Sequence, residues 1–312
     1  MSAEILETID TGAILGEGVV WNAQTQTVWW TDIQARRLYA LTWPGLALTM
    51  YETPERLCSF GFIEGDDDRI VAAFETGFAL FSPHTGDVSW LDKPAQLTRG
   101  RRLNDGRVGP DGRFWAGSMI EKPDAGLSTE DTGFYCLDTD GKARLEQPGL
   151  EISNGLCWSP DGTRVYFSDS PAGEIYTSAY NGQDGQFGPR KPFATIKDGG
   201  PDGAITDTDG HVWSAIWGGN RLTRFSPEGD ISLDLELPVP QPTCPVFGGE
   251  DLDLIFVTTA TEGLSDDTLE ASPASGRLII LEAPEGVTGL PGYRYKFCLL
   301  YTSDAADEED SV

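Results

Sequence analysis

Short runs of large apolar residues, each followed by small residues, recur along the chain. Two of them read Val28-Trp29-Trp30-Thr31 and Phe114-Trp115-Ala116-Gly117. The six runs begin at Val28, Ile70, Phe114, Val165, Val212 and Ile255. Their first residues lie 42, 44, 51, 47 and 43 positions apart. Short aromatic and β-branched runs bounded by turn residues are typical of strands.

A second apolar run follows each of these runs, for example at residues 77–81, 133–137 and 277–281. The 37 Gly and 20 Pro residues are spread between the runs as turn signals, and Asp-Gly pairs favour tight hairpins. No amphipathic helix is predicted. Six units of about 40–50 residues predict an all-β fold, a six-bladed β-propeller, because one blade cannot bury both faces of its sheet and a closed ring can.

The repeat continues from Glu17 to Leu281 without a linker, which favours one domain over a pair of β-sandwiches. We expect residues 1–301 to form a single six-bladed β-propeller domain, with residues 5–9 completing the last blade. Residues 302–312 carry five acids and no base and predict an acidic, disordered tail. Residues 298–309 resemble a translated sequencing adapter, so no function is assigned to them.

The net charge is −28. So acidic a chain repels phosphate backbones and anionic lipid headgroups, which makes nucleic acid and membrane surfaces poor partners. The first twelve residues contain Glu4, Glu7 and Asp10 and resemble no signal peptide. We therefore expect a cytoplasmic protein that is a monomer or a weak oligomer.

Cysteine and histidine usage narrows the chemistry further. The five cysteines include no C-x-x-C pair, which argues against a disulfide framework or a thiolate zinc site. Cys136 and Cys157 lie in strand-like runs and are predicted core residues. The only histidines, His84 and His211, lie in settings that do not suggest a catalytic triad.

The repeat also locates a ring of candidate site residues. Ten or eleven positions before each aromatic run lies the start of the preceding strand, which we expect to be the innermost strand of its blade. These positions are Glu17, Ser59, Asn104, Asn154, Asp202 and Cys244. Four of the six carry side-chain oxygens beside glycine, and equivalent positions of all blades meet at one mouth of the central channel. Each alone could be a local turn residue, but four in register predict a shared site.

Two carboxylates with one or two amide oxygens make a hard oxygen site. Ca²⁺, Mg²⁺ or Mn²⁺ suit it best, and Zn²⁺ or Fe²⁺ remain alternatives. So few protein ligands leave positions for water or substrate, which is what a Lewis-acid catalyst needs. Ser59 and Cys244 are interpreted as small packing residues.

The motifs around the ring resemble the regucalcin/gluconolactonase family of six-bladed propellers. The matching stretches are Leu15-Gly16-Glu17-Gly18, Arg102-Leu103-Asn104-Asp105-Gly106, Ile152-Ser153-Asn154-Gly155 and Pro201-Asp202-Gly203. The resemblance implies one divalent metal ion held by Glu17, Asn154 and Asp202. It also implies substrate contacts from Arg102, Asn104 and Glu121, and hydrolysis of sugar-acid lactones such as glucono-, xylono-, arabinono- or galactonolactone. Residues 122–132 would then form a lid.

Two mechanisms fit this hypothesis. Asp202 would act as general base, or a metal-activated water would attack without it. Two other functions also stay open at this point: a non-catalytic Ca²⁺-binding scaffold, and an esterase or phosphotriesterase on the same fold. A phosphotriesterase pocket should be mostly apolar, whereas Arg102, Asn104 and Glu121 suit a polyhydroxylated substrate.

Overall fold

The computed structural model describes residues 4–97, 100–122 and 127–298, in which 25 strands form six sheets arranged as blades. The predicted all-β fold, a six-bladed β-propeller, is confirmed. The expected tail, residues 302–312, and part of the expected lid, residues 123–126, lie outside the described residues.

The strands follow one another in chain order within the blades. After β1 (Ile5–Asp10), the first blade contains β2 (Gly16–Asn22), β3 (Thr27–Asp32), β4 (Arg37–Thr42) and β5 (Leu48–Glu52). The second contains β6 (Leu57–Ile63), β7 (Asp66–Phe74), β8 (Gly77–Phe81) and β9 (Val88–Asp92). The third contains β10 (Arg101–Val108), β11 (Phe114–Ile120), β12 (Gly133–Leu137) and β13 (Ala143–Pro148).

The remaining blades repeat this order. The fourth contains β14 (Ser153–Trp158), β15 (Arg164–Asp169), β16 (Glu174–Asn181), β17 (Gln186–Phe187) and β18 (Lys191–Thr195). The fifth contains β19 (Gly200–Thr206), β20 (Val212–Trp217), β21 (Arg221–Phe225) and β22 (Ile231–Glu236). The sixth contains β23 (Pro242–Gly248), β24 (Leu254–Thr259) and β25 (Arg277–Glu282).

The first strand of each blade is the innermost one, as predicted. These strands (β2, β6, β10, β14, β19 and β23) pack against their counterparts in the neighbouring blades. The aromatic runs form the second strands, and large side chains on them, such as Trp30, Trp115 and Trp213, are fully buried. Each such side chain buries roughly 150–250 Å², so at ~25 cal/mol per Å² its burial contributes about 4–6 kcal/mol before the entropy of ordering is subtracted.

The ring is closed by the N-terminal strand. β1 pairs antiparallel with β25, with Thr8 opposite Ile279 and Ile9 opposite Leu278. The prediction that residues 5–9 complete the last blade is therefore confirmed. The pairing covers the outer edge of β25, which would otherwise expose unpaired backbone groups.

A C-terminal strap, residues 289–298, crosses the side of the ring on which the inner strands end. Gly289 bridges Asp207 after β19, and Tyr295 bridges Ile63 at the end of β6. The Tyr295 hydroxyl donates to Asp138 O at 2.7 Å, and the Cys298 amide donates to Thr139 O at 2.8 Å. The strap therefore connects the fifth blade to the second and third.

One α-helix was not predicted from the sequence. Helix α1 (Asp266–Ala271) follows Ser265, whose hydroxyl accepts a hydrogen bond from the Thr268 amide as an N-cap. The helix has no buried residues, so its sequence lacks the apolar stripe by which a packed helix is predicted. Within the described ranges, no helix is long and apolar enough to cross a membrane.

Candidate functional site

Every inner strand changes register where its ring residue lies. The shifts in pairing to the second strand fall between Glu17 and Val20, Leu57 and Ser59, Leu103 and Gly106, Asn154 and Cys157, Pro201 and Ala204, and Pro242 and Pro245. A β-bulge of this kind bends the strand locally and re-aims a side chain. The same irregularity thus recurs at the ring position of all six inner strands.

Glycine is required beside two of these side chains. Gly155, next to Asn154, has a φ of +66°, a conformation that L side chains rarely adopt. A Cβ on Gly203, next to Asp202, would lie 2.6 Å from Cys244 Sγ. Glycine is thus needed next to Asn154 for its backbone conformation, and next to Asp202 because a Cβ would clash with Cys244.

A chain of hydrogen bonds joins the third and fourth blades at the mouth. Arg102 Nη1 donates to Asn104 Oδ1 at 2.7 Å, and Asn104 Nδ2 donates to Asn154 Oδ1 at 2.7 Å. Asn154 Nδ2 in turn donates to Ser170 Oγ at 2.8 Å. The chain fixes both amides, and Asn154 Oδ1 keeps a second lone pair for another partner.

Glu17 and Asp202 are buried carboxylates with little local compensation. They are 7% and 5% exposed. Burial, and next the charge of Asp105, raise the pKa of Glu17 to about 8. Burial, and next the charges of Glu17 and Asp105, raise the pKa of Asp202 well above its ordinary value. The two groups therefore destabilise each other's charged form.

The donor set fits a divalent cation. Among the described residues, no basic nitrogen lies within 4.0 Å of the Glu17 or Asp202 carboxylate. Glu17 Oε2 accepts from the Gly18 amide at 3.2 Å, and Asp202 accepts from the Gly203 amide. Two buried acids without an ion pair are costly unless a cation compensates them. The amide oxygen of Asn154, which accepts from Asn104, is the sequence-predicted third ligand.

Glu121 lies at the same mouth, held by two arginines. Arg102 Nε donates to Glu121 Oε1 at 3.2 Å, and Arg56 binds both Glu121 oxygens, through Nη1 and, at 3.0 Å, through Nη2. The hydrogen bond from Arg56 is the main cause that lowers the pKa of Glu121. Four of the sequence-predicted residues, Arg102, Asn104, Asn154 and Glu121, are thus joined by hydrogen bonds. Glu17 and Asp202 interact electrostatically with Arg102, which is only 4% exposed.

The comparisons with known proteins agree with this geometry. The model of the SMP-30/gluconolactonase/LRE-like family matches residues 15–261. The chain belongs to this family. Its curated relatives include an L-arabinolactonase from Azospirillum brasilense, 35% identical over 88% of this chain and 90% of the relative. A 6-deoxy-6-sulfogluconolactonase from Pseudomonas putida is 34% identical over 85% of this chain and 89% of the relative.

A solved family structure shows the same fold. The calcium-binding protein regucalcin from Agrobacterium tumefaciens is 30% identical and superposes with a TM-score of 0.85, over 93% of this chain and 97% of that one. The family recognised from the ring motifs is therefore confirmed.

Sequence reasoning overlooked Arg56 in this family member. Its guanidinium bridges Glu121 to Glu75, with Nε and Nη2 at 2.9 and 2.7 Å from Glu75 Oε2. Arg56 lies three residues before Ser59, much as Arg102 lies two before Asn104. Extending the ring two or three positions upstream would have found both arginines.

Asp105 was also overlooked, although it lies inside a family motif. It is 4% exposed, its Oδ2 accepts from the Leu156 amide at 3.2 Å, and burial raises its pKa. Its charge raises the pKa values of Glu17 and Asp202, but the ligand atoms of the three carboxylates do not all lie within 4.8 Å of one another, so Asp105 acts on the pair only through electrostatics.

Ser59 and Cys244 occupy ring positions without reactive partners. Ser59 Oγ would lie 2.5 Å from a Cβ on Gly106, so it packs against the backbone of β10. Burial raises the pKa of the Cys244 thiol well above its ordinary value, which disfavours the thiolate. Both fit the interpretation as packing residues.

A second acidic group lies at the other end of β19. Asp207, Asp209 and His211 form the one group of three metal-ligand side chains in the described ranges whose ligand atoms lie within 4.8 Å of one another. Asp207 Oδ1 already accepts from the Asp209 and His211 amides, and Oδ2 accepts from Trp213 Nε1 and Arg224. With four donors on Asp207, we interpret this group as a hydrogen-bonded turn.

Proposed function

We propose that this protein is a carboxylic ester hydrolase that opens sugar-acid lactones to the free aldonic acids. The observation that carries the proposal is the buried pair Glu17 and Asp202, which lies at the same channel mouth as the network of Arg102, Asn104 and Asn154. The names of the relatives support the reaction class, since both curated relatives above are sugar lactonases.

Glu17, Asn154 and Asp202 would hold one divalent metal ion. Bound there, the ion would supply Lewis-acid stabilisation for negative charge on the lactone carbonyl oxygen. The all-oxygen set favours Ca²⁺, Mg²⁺ or Mn²⁺ over Zn²⁺ or Fe²⁺. The relative of known structure is described as calcium-binding, which is consistent with this preference.

The chain's own residues supply proton transfer and orientation. Asp202, a carboxylate at the mouth, would accept a proton from the attacking water as general base. Arg102 Nη2 has no hydrogen-bond partner among the described residues and would donate to a sugar hydroxyl. Asn104 and Glu121 would complete the contacts that orient the ring.

The polarity of the mouth favours an aldonolactone over a phosphotriester. Its side chains are carboxylates, amides and a guanidinium, which match a substrate with several hydroxyl groups. An apolar aryl or phosphotriester substrate would leave these buried groups without partners. The small-molecule sugar lactone is therefore the proposed partner, while a cytoplasmic location and a monomeric or weakly oligomeric state stay predictions.

The test uses the acid that lactone opening releases. Purified protein is mixed with gluconolactone, xylonolactone, arabinonolactone or galactonolactone in weak buffer, and the pH drop is followed with and without EDTA and added metals. We expect hydrolysis that EDTA abolishes and one metal restores. Stabilisation by metal without turnover of any lactone would favour the non-catalytic Ca²⁺-binding scaffold instead.

A further inference from the structure

A second cavity lies at the far mouth of the channel, where the inner strands end, opposite Glu17 and Asp202. Its walls come from the C-terminal halves of all six inner strands and from residues 290–293 of the C-terminal strap. Its volume is about 80 Å³. A cavity needs at least ~10–15 Å³ to hold one water, so this one has room for more than one. The strap therefore leaves a cavity that a small molecule can occupy.

The walls are mainly apolar and carry hydrogen-bond donors. Phe60, Val246 and Phe247 are among the apolar lining residues, and no carboxylate lines the cavity. Arg107 is the one basic residue in its wall. The protein as a whole is strongly negative, with a net charge of −28, whereas this pocket has a guanidinium and no acids in its wall.

Arg107 keeps hydrogen-bonding capacity for a ligand. Its Nε donates to Leu156 O and its Nη2 to Ala204 O, both at 3.2 Å. Among the described residues, Nη1 has no hydrogen-bond acceptor and no carboxylate lies within 4.0 Å of the guanidinium. Asp105 interacts with Arg107 electrostatically from within the channel. The guanidinium is thus anchored by backbone carbonyls and has no ion-pair partner, an arrangement suited to binding an anion.

Two indole groups add apolar ring surface. Trp21 and Trp158 line the cavity and are 6% and 4% exposed. Neither buried Nε1 has an acceptor in the part of the chain that the structure describes. Both nitrogens are buried, so these indoles offer the cavity the apolar surface of their rings.

We propose that this cavity is a second binding site, for a short-chain aliphatic monocarboxylate. The carboxylate binds Arg107, and the hydrocarbon chain lies against Phe60 and Phe247. The two ends of such a ligand match the two kinds of wall, whereas a polyhydroxylated acid would leave its hydroxyl groups against apolar side chains. The site is separate from the mouth that holds Glu17 and Asp202, so it stands or falls independently of the lactonase proposal.

Butyrate is the probe, and binding is measured by isothermal titration calorimetry on the full chain. Butanol lacks the charge, butylammonium reverses it, and gluconate keeps the carboxylate but replaces the apolar chain. We expect butyrate to bind at least ~10-fold more tightly than each of them, as a charge-assisted contact predicts. Equal binding of butyrate and butanol, or no heat with butyrate up to its solubility, would overturn the proposal.

Two variants locate the site. Arg107→Met removes the guanidinium, and Val20→Phe fills the cavity from β2 while keeping Arg107. Arg190→Met is the matched control, because Arg190 also donates to two backbone carbonyls, Pro148 O and Gly149 O, but lies outside the cavity.

We expect butyrate binding to be lost in Arg107→Met and Val20→Phe and kept in Arg190→Met. If Arg107→Met does not fold, Val20→Phe alone decides. Unchanged butyrate affinity in a folded Val20→Phe protein would place the ligand elsewhere and overturn the assignment.

Discussion

Replacing Glu17 by Gln should have opposite effects on the metal-free and the metal-bound protein. In the metal-free protein Glu17 is buried and close enough to Asp105 and Asp202 for their charges to interact. Its pKa is raised from 4.5 to about 8. Because the native state binds this proton more tightly than the unfolded state, stability is fully present below about pH 4.5 and is lost as the pH rises through about 8.

The magnitude follows from the size of that shift. At ~1.4 kcal/mol for each pKa unit, ionising Glu17 above pH 8 costs the metal-free native state at most roughly 5 kcal/mol. Glutamine has nearly the same shape and no charge, so Glu17→Gln should recover about 2–5 kcal/mol at about pH 9 and almost nothing at about pH 4. Metal acts in the opposite direction, since metal at ~100 times Kd stabilises the wild type by ~2.7 kcal/mol and the variant by less. The sign of the difference therefore reverses only at pH values where the electrostatic gain of the variant is smaller than the difference between these two metal effects.

Urea unfolding followed by tryptophan fluorescence, in EDTA and then in each candidate metal, measures both effects. Glu64→Gln is the control, because Glu64 is exposed and its substitution should change stability by less than ~0.5 kcal/mol at every pH. A Glu17→Gln protein that is less stable than the wild type in EDTA at high pH would refute the electrostatic reasoning. An unchanged metal titration would refute the ligand role.

Three further substitutions test other parts of the site. Asp202→Ala should abolish lactone turnover while the circular dichroism spectrum stays unchanged, and full activity would contradict both roles given to Asp202. Arg56→Met should raise KM for lactones several-fold and lower the free energy of unfolding by ~2 kcal/mol. Because Arg56 lowers the pKa of Glu121, this loss of stability should shrink as the pH falls below 4.5. Urea unfolding at several pH values would check it. Gly106→Ala places a Cβ 2.4 Å from Trp115 O and should lower the unfolding free energy by ~1–3 kcal/mol, whereas Gly182→Ala, with 3.6 Å to its nearest neighbour, should change the same urea midpoint little.

The sequence predicted those features that repeat. The six aromatic runs and the ring from Glu17 to Cys244 recur at nearly constant spacing, because every blade must bury the same faces against its neighbours. Fold, ring closure and family could therefore be predicted and are confirmed. The roles of the ring residues as ligands, base and substrate contacts stay predictions.

Features that depend on contacts between distant residues could not be predicted in the same way. Arg56 and Glu121 are 65 residues apart, and their pairing follows from the angle between two blades. The six β-bulges also leave no mark in the hydrophobic pattern. Helix α1 was missed because its one turn and a half is held by an N-cap and not by an apolar face.

The pairing of β1 with β25 also constrains the order of events during synthesis. Residues 5–10 are synthesised well before their partners, residues 277–282. Until β25 is synthesised, β1 has no strand to pair with, and a strongly apolar strand would be prone to aggregate during that time. β1 contains the acidic residues Glu7 and Asp10, and none of its side chains is fully buried, so the unpaired strand is less prone to aggregate. Formation of the closed ring should therefore be a late, slow step of folding.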